Sequence, residues 1–233
     1  MKIKKIITVV SCLAILAACG IWTWRTQFNQ PKFNVPLHLG LGQTMAELAT
    51  SASGGTGRIV IITLAAGQFP ELGVQVKEFK KIVAAHPGVT FKEYELDTED
   101  RPKFQFGTGL SARRYLRTVN KNLTASAIVS FVGAPELTEK EAAGIKTAPR
   151  FIAECRTADK LRRLFELKAI HAAVVGRFEY PTPIKGTPRT PRDWVTQRFQ
   201  IVTAENAGTL PGGSDDSDVA PKEKPSVAAP PQK

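Results

Sequence analysis

The chain has little of the chemistry that metal sites and disulfides require. Its 233 residues include only three cysteines and three histidines. Cys12 and Cys19 lie in an N-terminal apolar run, so Cys155 has no partner for a disulfide within the rest of the chain. No Cys-x-x-Cys pair occurs and the histidines are widely spaced, which argues against a structural zinc site. G-x-S-x-G and H-E-x-x-H motifs are also missing, and the sequence predicts neither a metal nor a cofactor.

Acidic residues are outnumbered by basic ones. The chain has 32 lysines and arginines against 21 aspartates and glutamates, a formal net charge of +11. Such a surplus is typical of proteins that meet nucleic acid or anionic membrane surfaces. The N-terminus described next predicts export, which argues against nucleic acid as a partner. We therefore interpret the charge as a solvated basic surface.

The N-terminus has the pattern of a membrane-targeting segment. Lys2, Lys4 and Lys5 precede an apolar run from Ile6 to Trp24, and Arg25 follows it. About 19 residues are just enough for a helix that crosses about 30 Å of hydrocarbon. More basic residues before the run than after it favour a cytoplasmic N-terminus. Residues 1–26 are thus predicted to place the rest of the chain outside the bacterial inner membrane, facing the periplasm.

Two ways of tethering compete for this segment. Leu16-Ala17-Ala18-Cys19 resembles a bacterial lipobox, which implies cleavage before Cys19 and lipidation of that residue. Trp22 and Trp24, followed by Arg25, instead resemble the interfacial anchors of an uncleaved signal-anchor helix. Ordinary secretion is a third outcome. The first two outcomes both give a tethered, extracytoplasmic domain.

The rest of the chain divides into a linker, one domain and a tail. Residues 27–57 contain two prolines and a Ser/Gly-rich stretch, and are predicted to be a linker with at most a short helix at residues 45–50. Residues 211–233 are rich in Gly, Ser, Asp, Pro and Ala and have no aromatic residue, a composition that predicts a disordered tail. The folded domain is expected at residues 58–210.

Within this domain, strand and helix patterns alternate. Arg58–Leu64 and Ala125–Val132 are continuous apolar runs of buried strands, whereas Val89–Leu96 alternates like an exposed edge strand. Further strands are predicted at 150–155, 170–175 and 198–203, and helices at 70–85, 110–120, after the Thr138/Glu141 capping box, and at 158–168. The proline-rich stretch that follows Tyr180 is predicted to be a basic loop. This order predicts a three-layer α/β fold with a doubly wound, mostly parallel sheet of five to six strands, like flavodoxin.

The order of elements resembles one lobe of the periplasmic, sugar-binding (type 1) solute-binding proteins. The likeness covers residues 58–203 and includes the strand Ala127-Ile128-Val129-Ser130-Phe131. The final segment Ile201-Val202-Thr203-Ala204-Glu205-Asn206 is similar to a V-T-x-E-N run near the C-terminus of that family. The family has two lobes that close on a ligand, and this chain has residues for one lobe only.

The resemblance implies a ligand site where the parallel strands end. The polar groups and turn residues that the sequence places there are Gln68, Asp97, Pro135, Arg156 and Arg177. They predict a module that binds a small polar ligand weakly or docks a protein partner. A homodimer is a further possibility, because a second copy would supply the missing lobe.

Two other functions stay open from the sequence. Cys155 follows a strand and precedes Arg156, and His171 begins the next strand, so a thiol-type enzyme would use this pair. A tethered envelope spacer, with the tail reaching a partner, is the structural alternative.

Overall fold

The computed structural model describes residues 2–24, 33–96, 109–145, 148–158, 160–177 and 188–210. The candidate Asp97, most of the proline-rich loop and the tail from residue 211 lie outside the described residues. The first helix, α1, spans Lys2–Thr23 and exposes its apolar side chains from Leu13 onward. Among the described residues, no helix combines the length and the apolar character needed to cross a membrane.

The domain is built on a six-stranded sheet. The structure has strands β1 (Gly57–Leu64), β2 (Val89–Leu96), β3 (Leu110–Ser111), β4 (Ala127–Ser130), β5 (Pro135–Glu136), β6 (Arg150–Cys155), β7 (Ala172–Gly176) and β8 (Phe199–Thr203). The main sheet has the order β2-β1-β4-β6-β7-β8, and β3 pairs with β5 in a separate small sheet. The first five strands of the main sheet are parallel, and β8 runs antiparallel to β7. This confirms the predicted mostly parallel, doubly wound sheet.

Burial along the strands explains their sequences. The side chains of Ile59–Leu64 in β1 and all four of β4 are buried, because helices cover both faces of the sheet. The edge strand β2 is mostly exposed, as its alternating pattern predicts. All six strands of the main sheet begin and end within two residues of the predicted bounds. The β4 strand is shorter than predicted by two residues at each end.

Helices cover the sheet in two layers. They are α2 (Val35–Ser53), α3 (Pro70–Val83), α4 (Ala112–Lys121), α5 (Glu139–Ala143), α6 (Leu161–Glu166) and α7 (Pro191–Arg198), with a 3-10 turn at Ala207–Thr209. One apolar core joins the sheet to α4 and α6, and a second joins the other face to α2, α3 and α7. The predicted capping box is present, since Thr138 Oγ1 accepts from Glu141 N at 3.3 Å.

The structure differs from the sequence prediction in two helices. Most of the predicted linker forms α2, which packs across the centre of the sheet with Leu41, Met45 and Ala49 almost fully buried. The end of the predicted proline-rich loop forms α7, which has its own capping box between Thr190 and Asp193. The N-terminal boundary of the folded unit therefore lies at α2, about 20 residues before the predicted one.

Candidate ligand-binding cleft

A cleft of about 730 Å³ opens at the edge of the sheet where the parallel strands end, which we call the carboxyl edge. It lies beyond the ends of β1, β4, β6 and β7, against the beginning of β8. The chain passes from β1 outward to β2 and then returns to β4 on the other side of β1. In doubly wound sheets this reversal leaves a crevice between the two crossovers, where ligands bind.

Two helices bring polar side chains to one wall of this cleft. Helix α2 contributes Leu37, His38 and Leu41, and α3 contributes Glu71, Leu72 and Gln75. Asn34 caps α2, accepting from Leu37 N at 3.1 Å, so that α2 begins at the cleft.

Two glycines allow α2 to lie close to its neighbours. A Cβ atom on Gly40 would be 2.3 Å from the Pro191 carbonyl oxygen of α7. A Cβ atom on Gly42 would be 2.4 Å from the Gln75 carbonyl oxygen of α3. Real Cβ atoms do not approach so closely, so any larger residue at either site would force the helices apart. Gly42 therefore allows α2, which carries His38, to lie close to α3, which carries Gln75.

Three side chains form a polar network on the floor of the cleft. Gln75 Nε2 lies 2.9 Å from His38 Nδ1 and donates to Glu154 Oε1 at 3.3 Å. Gln75 is 1% exposed. Glu154, near the end of β6, is partly exposed as a residue, although its Oε2 atom is shielded from solvent. Within the described part of the chain, Gln75 Oε1 and Glu154 Oε2 have no hydrogen-bond partner.

Burial dominates the electrostatics of this network. It raises the pKa of Glu154 to about 7, although Gln75 and Arg156 both act to lower it. Burial also lowers the pKa of His38, with Arg156 lowering it further and Glu71 opposing the change. Both groups are thus driven toward their neutral forms. A buried carboxyl and a buried amide with unpaired oxygens are typical of a site that awaits hydrogen-bond donors.

The opposite rim of the cleft is formed by backbone. Leu110 N donates to the Ala134 carbonyl oxygen at 2.8 Å, and β3 continues this contact by pairing with β5. Gly109 has φ +63°, and a Cβ atom there would lie 2.1 Å from the same oxygen. This position accepts only glycine, because the left-handed conformation and the close contact both exclude a side chain.

Of the predicted ligand residues, two line the cleft and two lie outside its lining. Pro135 and Arg156 line the cleft. Gln68 is exposed in the turn after β1, away from the cleft lining. Arg177 also lies outside the lining, and its Nε donates to the carbonyl oxygens of Thr196 and Phe199 at 2.9 and 3.0 Å, where it holds the end of α7 against β8.

Sequence analysis missed the residues that form the polar floor. His38 falls in the predicted linker, and Gln75 lies on a helix that was predicted from its apolar residues alone. The signal for Glu154 was present, since it is the single acidic residue in the otherwise apolar run Phe151–Cys155 of β6. A carboxylate in a buried strand has to be explained by a partner or a function.

The thiol-enzyme alternative is contradicted by the positions of its two residues. Cys155 pairs in register with Val175 at the carboxyl edge, whereas His171 N donates to the Phe151 carbonyl oxygen at the opposite edge. Four residues of strand separate the two positions, a distance of about 13 Å. Burial also raises the pKa of Cys155 to about 12, which disfavours the thiolate. The two side chains cannot work as a catalytic pair.

Among solved structures, sugar-binding proteins have this fold. One is AraP, an arabinose binding protein from Geobacillus stearothermophilus, with a TM-score of 0.50 and 13% identity over 75% of this chain and 63% of that chain. Another is the sugar-binding protein of a sugar ABC transporter from Bacillus halodurans, with a TM-score of 0.50 and 15% identity over 75% of this chain and 64% of that chain. These matches confirm the predicted likeness to a solute-binding lobe at the level of the fold.

The chain spans less than two thirds of the length of these two proteins. No family model matches the sequence. No curated protein matches it either.

Proposed function

We propose that this chain is an extracytoplasmic binding module that holds a small polar ligand in the cleft at the carboxyl edge of its sheet. The observation that carries this proposal is the pair of buried oxygens on Gln75 and Glu154, two residues of the cleft lining, which have no partners among the described residues. Burying such oxygens unpaired is costly, and a ligand with hydroxyl or amino groups would satisfy them. The apolar residues Leu37, Leu41, Leu64 and Phe131 provide surface for the ligand's carbon skeleton.

The fold supports the choice of ligand class. Of the two solved proteins named above, one is an arabinose binding protein and the other a sugar-binding protein. A cleft of about 730 Å³ falls within the usual size range of small-molecule sites. A single lobe encloses its ligand on one side only, so we expect weak binding.

A ligand screen with a blocked cleft tests this proposal. The purified full-length chain in detergent is heated with neutral sugars, amino sugars, amino acids and nucleosides, and the unfolding temperature is recorded. A ligand at 100 times its Kd adds about 2.7 kcal/mol of stability. Thr157→Trp places a large ring on the exposed rim of the cleft and is expected to abolish the shift. Thr90→Trp, an exposed position toward the other edge of the sheet, is the matched control and should keep it.

The ligand screen has three distinguishable outcomes. A shift that Thr157→Trp removes and Thr90→Trp keeps supports the cleft as the site. A shift that survives Thr157→Trp moves the site elsewhere. No shift with any member of the panel contradicts small-ligand binding and leaves a protein partner as the function to pursue.

We further propose that the N-terminal segment tethers the module to the inner membrane, with the domain on the periplasmic side. The support is the basic start, the apolar run, and the large exposed apolar side chains of α1, among them Leu16, Ile21 and Trp22. Cys19 is exposed on this helix. Metabolic labelling with a radioactive fatty acid should mark the wild type and the Cys12→Ser control, and should fail on Cys19→Ser. Equal labelling of both variants would contradict lipidation at Cys19, and membrane release of the unlabelled variant would show that lipid is the anchor.

A further inference from the structure

The floor of the cleft offers hydrogen-bond acceptors in place of a balanced set of donors and acceptors. Gln75 Nε2 is engaged by His38 Nδ1 and Glu154 Oε1. An amide nitrogen has two hydrogens, so both of its hydrogens are committed. The atoms left over are Gln75 Oε1 and Glu154 Oε2, which we call the acceptor pair. Neither atom has a hydrogen-bond partner among the residues that the structure describes.

The pair is buried and belongs to the cleft. Gln75 is 1% exposed, and both residues line the cavity. Gly42 allows the helices that carry His38 and Gln75 to lie in close contact. The acceptor pair is therefore a built feature of the floor, whose cost is recovered only when a donor group enters the cleft.

The chemistry of the pair favours a cationic donor over a neutral one. A hydroxyl has a single hydrogen to donate, whereas a primary ammonium group has three hydrogens and no acceptor lone pair. Hydrogen bonds from an ammonium to a carboxylate are also shorter and stronger than neutral ones. Burial raises the pKa of Glu154 even though Gln75 and Arg156 act to lower it, so a cation beside the carboxylate would stabilise its charged form. Glu71 and Glu136 also line the cleft, together with the basic residues Arg156, Lys160 and Arg198.

We infer that the acceptor pair is a subsite for a primary ammonium group, so that the cleft selects small polar ligands that carry an amine over neutral ligands of the same shape. This inference rests on the proposed function, and specifies the ligand class of the same cleft. Glu154 supplies the charge and Gln75 orients it, while His38 fixes the Gln75 amide so that its oxygen faces the ligand.

Matched pairs of amine and hydroxyl test the selectivity. Isothermal titration calorimetry of the full-length chain in detergent, at pH 7.5, compares D-glucosamine with D-glucose, and 1,4-diaminobutane with 1,4-butanediol. We expect the amine of each pair to bind at least about tenfold more tightly than the alcohol. Equal affinities within both pairs would overturn the inference while leaving the proposed function in place. Failure of all four compounds to bind would overturn the inference, whereas the proposed function is overturned only if no member of the wider ligand panel binds.

Variants assign the preference to the acceptor pair. Glu154→Gln keeps the shape and removes the charge, and should abolish the amine preference by weakening the binding of the amines more than that of the alcohols. Gln75→Met keeps the volume and removes the amide oxygen, and should weaken the amine preference in a second, independent way. The control is Glu205→Gln, an exposed carboxylate outside the cleft, which should bind like the wild type. An amine preference that persists in folded Glu154→Gln and Gln75→Met would overturn the inference.

Discussion

The buried carboxyl of Glu154 should make the stability of the domain depend on pH in an unusual direction. Its pKa is raised from 4.5 to about 7 in the folded state, mainly because burial disfavours the charge. Between these two values the folded protein keeps a proton on Glu154 that the unfolded chain releases. The unfolding free energy contributed by this group is therefore fully present below pH 4.5, and is lost as the pH rises toward 7.

The size of this effect follows from the two pKa values. Each pH unit in the window is worth about 1.36 kcal/mol, so the change from 4.5 to about 7 corresponds to about 3 kcal/mol. This is a large fraction of the stability of an ordinary domain, about 5–15 kcal/mol. Most carboxyl groups have lowered pKa values in folded proteins and act in the opposite direction. The contribution of Glu154 must therefore be isolated from the rest.

The assay compares the wild type with Glu154→Gln, which cannot ionise. Urea unfolding followed by circular dichroism at pH 4.5, 5.5, 6.5 and 7.5 gives the unfolding free energy of each protein. His38 contributes the opposite slope, because its pKa is lowered and its contribution is lost as the pH falls below 6.5. Arg156 acts on both groups and Glu71 on His38, and these residues are present in both proteins.

The wild type should lose about 3 kcal/mol relative to Glu154→Gln between pH 4.5 and 7.5. Parallel pH profiles for the two proteins would refute the reasoning, since they would show that Glu154 has the same pKa in the folded and unfolded states. A profile that rises for the wild type relative to the variant would show that the carboxylate is stabilised as an ion.

Three further substitutions test the packing that places the cleft, each by urea unfolding. Met45→Ala empties a fully buried site in α2 and should cost about 2–5 kcal/mol, whereas Ser51→Ala on the exposed side of that helix should change stability by less than about 0.5 kcal/mol; equal small effects would mean that α2 is dispensable. Gly109→Ala puts a Cβ atom 2.1 Å from a carbonyl oxygen at positive φ and should cost at least about 1–3 kcal/mol, while Gly208→Ala, with open space around it, serves as the control; a neutral Gly109→Ala would rule out the close contact at the cleft rim. Tyr115→Phe removes a buried hydroxyl that donates to the Ala169 carbonyl oxygen at 2.9 Å and should cost about 1 kcal/mol; no loss would show that water replaces the bond.

Hydrophobic pattern alone predicted the sheet. β-branched runs such as Ile59–Ile62 allow almost no other interpretation, and the alternation in Val89–Leu96 marked β2 as an exposed edge. These signals are local, because a strand that is buried on both faces is itself almost entirely apolar. The order of helices and strands then restricted the topology to right-handed crossovers.

Helix α2 was missed because its stability comes from tertiary contact. Gly40 and Gly42 lower its intrinsic helix propensity, and Pro36 at its start resembles a linker residue. The same glycines are what the packing requires, since α3 and α7 approach within the space of a missing Cβ. Helix α7 had a local signal, the Thr190/Asp193 capping box with Pro191 at the first turn, which the surrounding prolines obscured.

The polar floor was beyond sequence reasoning for a related reason. His38, Gln75 and Glu154 come from three separate elements, and 79 residues separate Gln75 from Glu154. Each residue alone is ordinary, and only the topology brings them to one edge. The predicted residues Pro135 and Arg156 line the cleft; Arg156 directly follows β6, and position after a strand is readable from the sequence.

The place of α2 in the chain has a mechanical consequence. Asn34 and Val35 begin this helix at the wall of the cleft, and every residue upstream is connected to the domain through them. Tension applied through the N-terminal segment would thus be transmitted first to His38 and the cleft wall, and only afterwards to the sheet. A ligand that ties His38, Gln75 and Glu154 together would stiffen the point where the N-terminal segment joins the domain, so that ligand binding in the cleft and tension on that segment would influence each other.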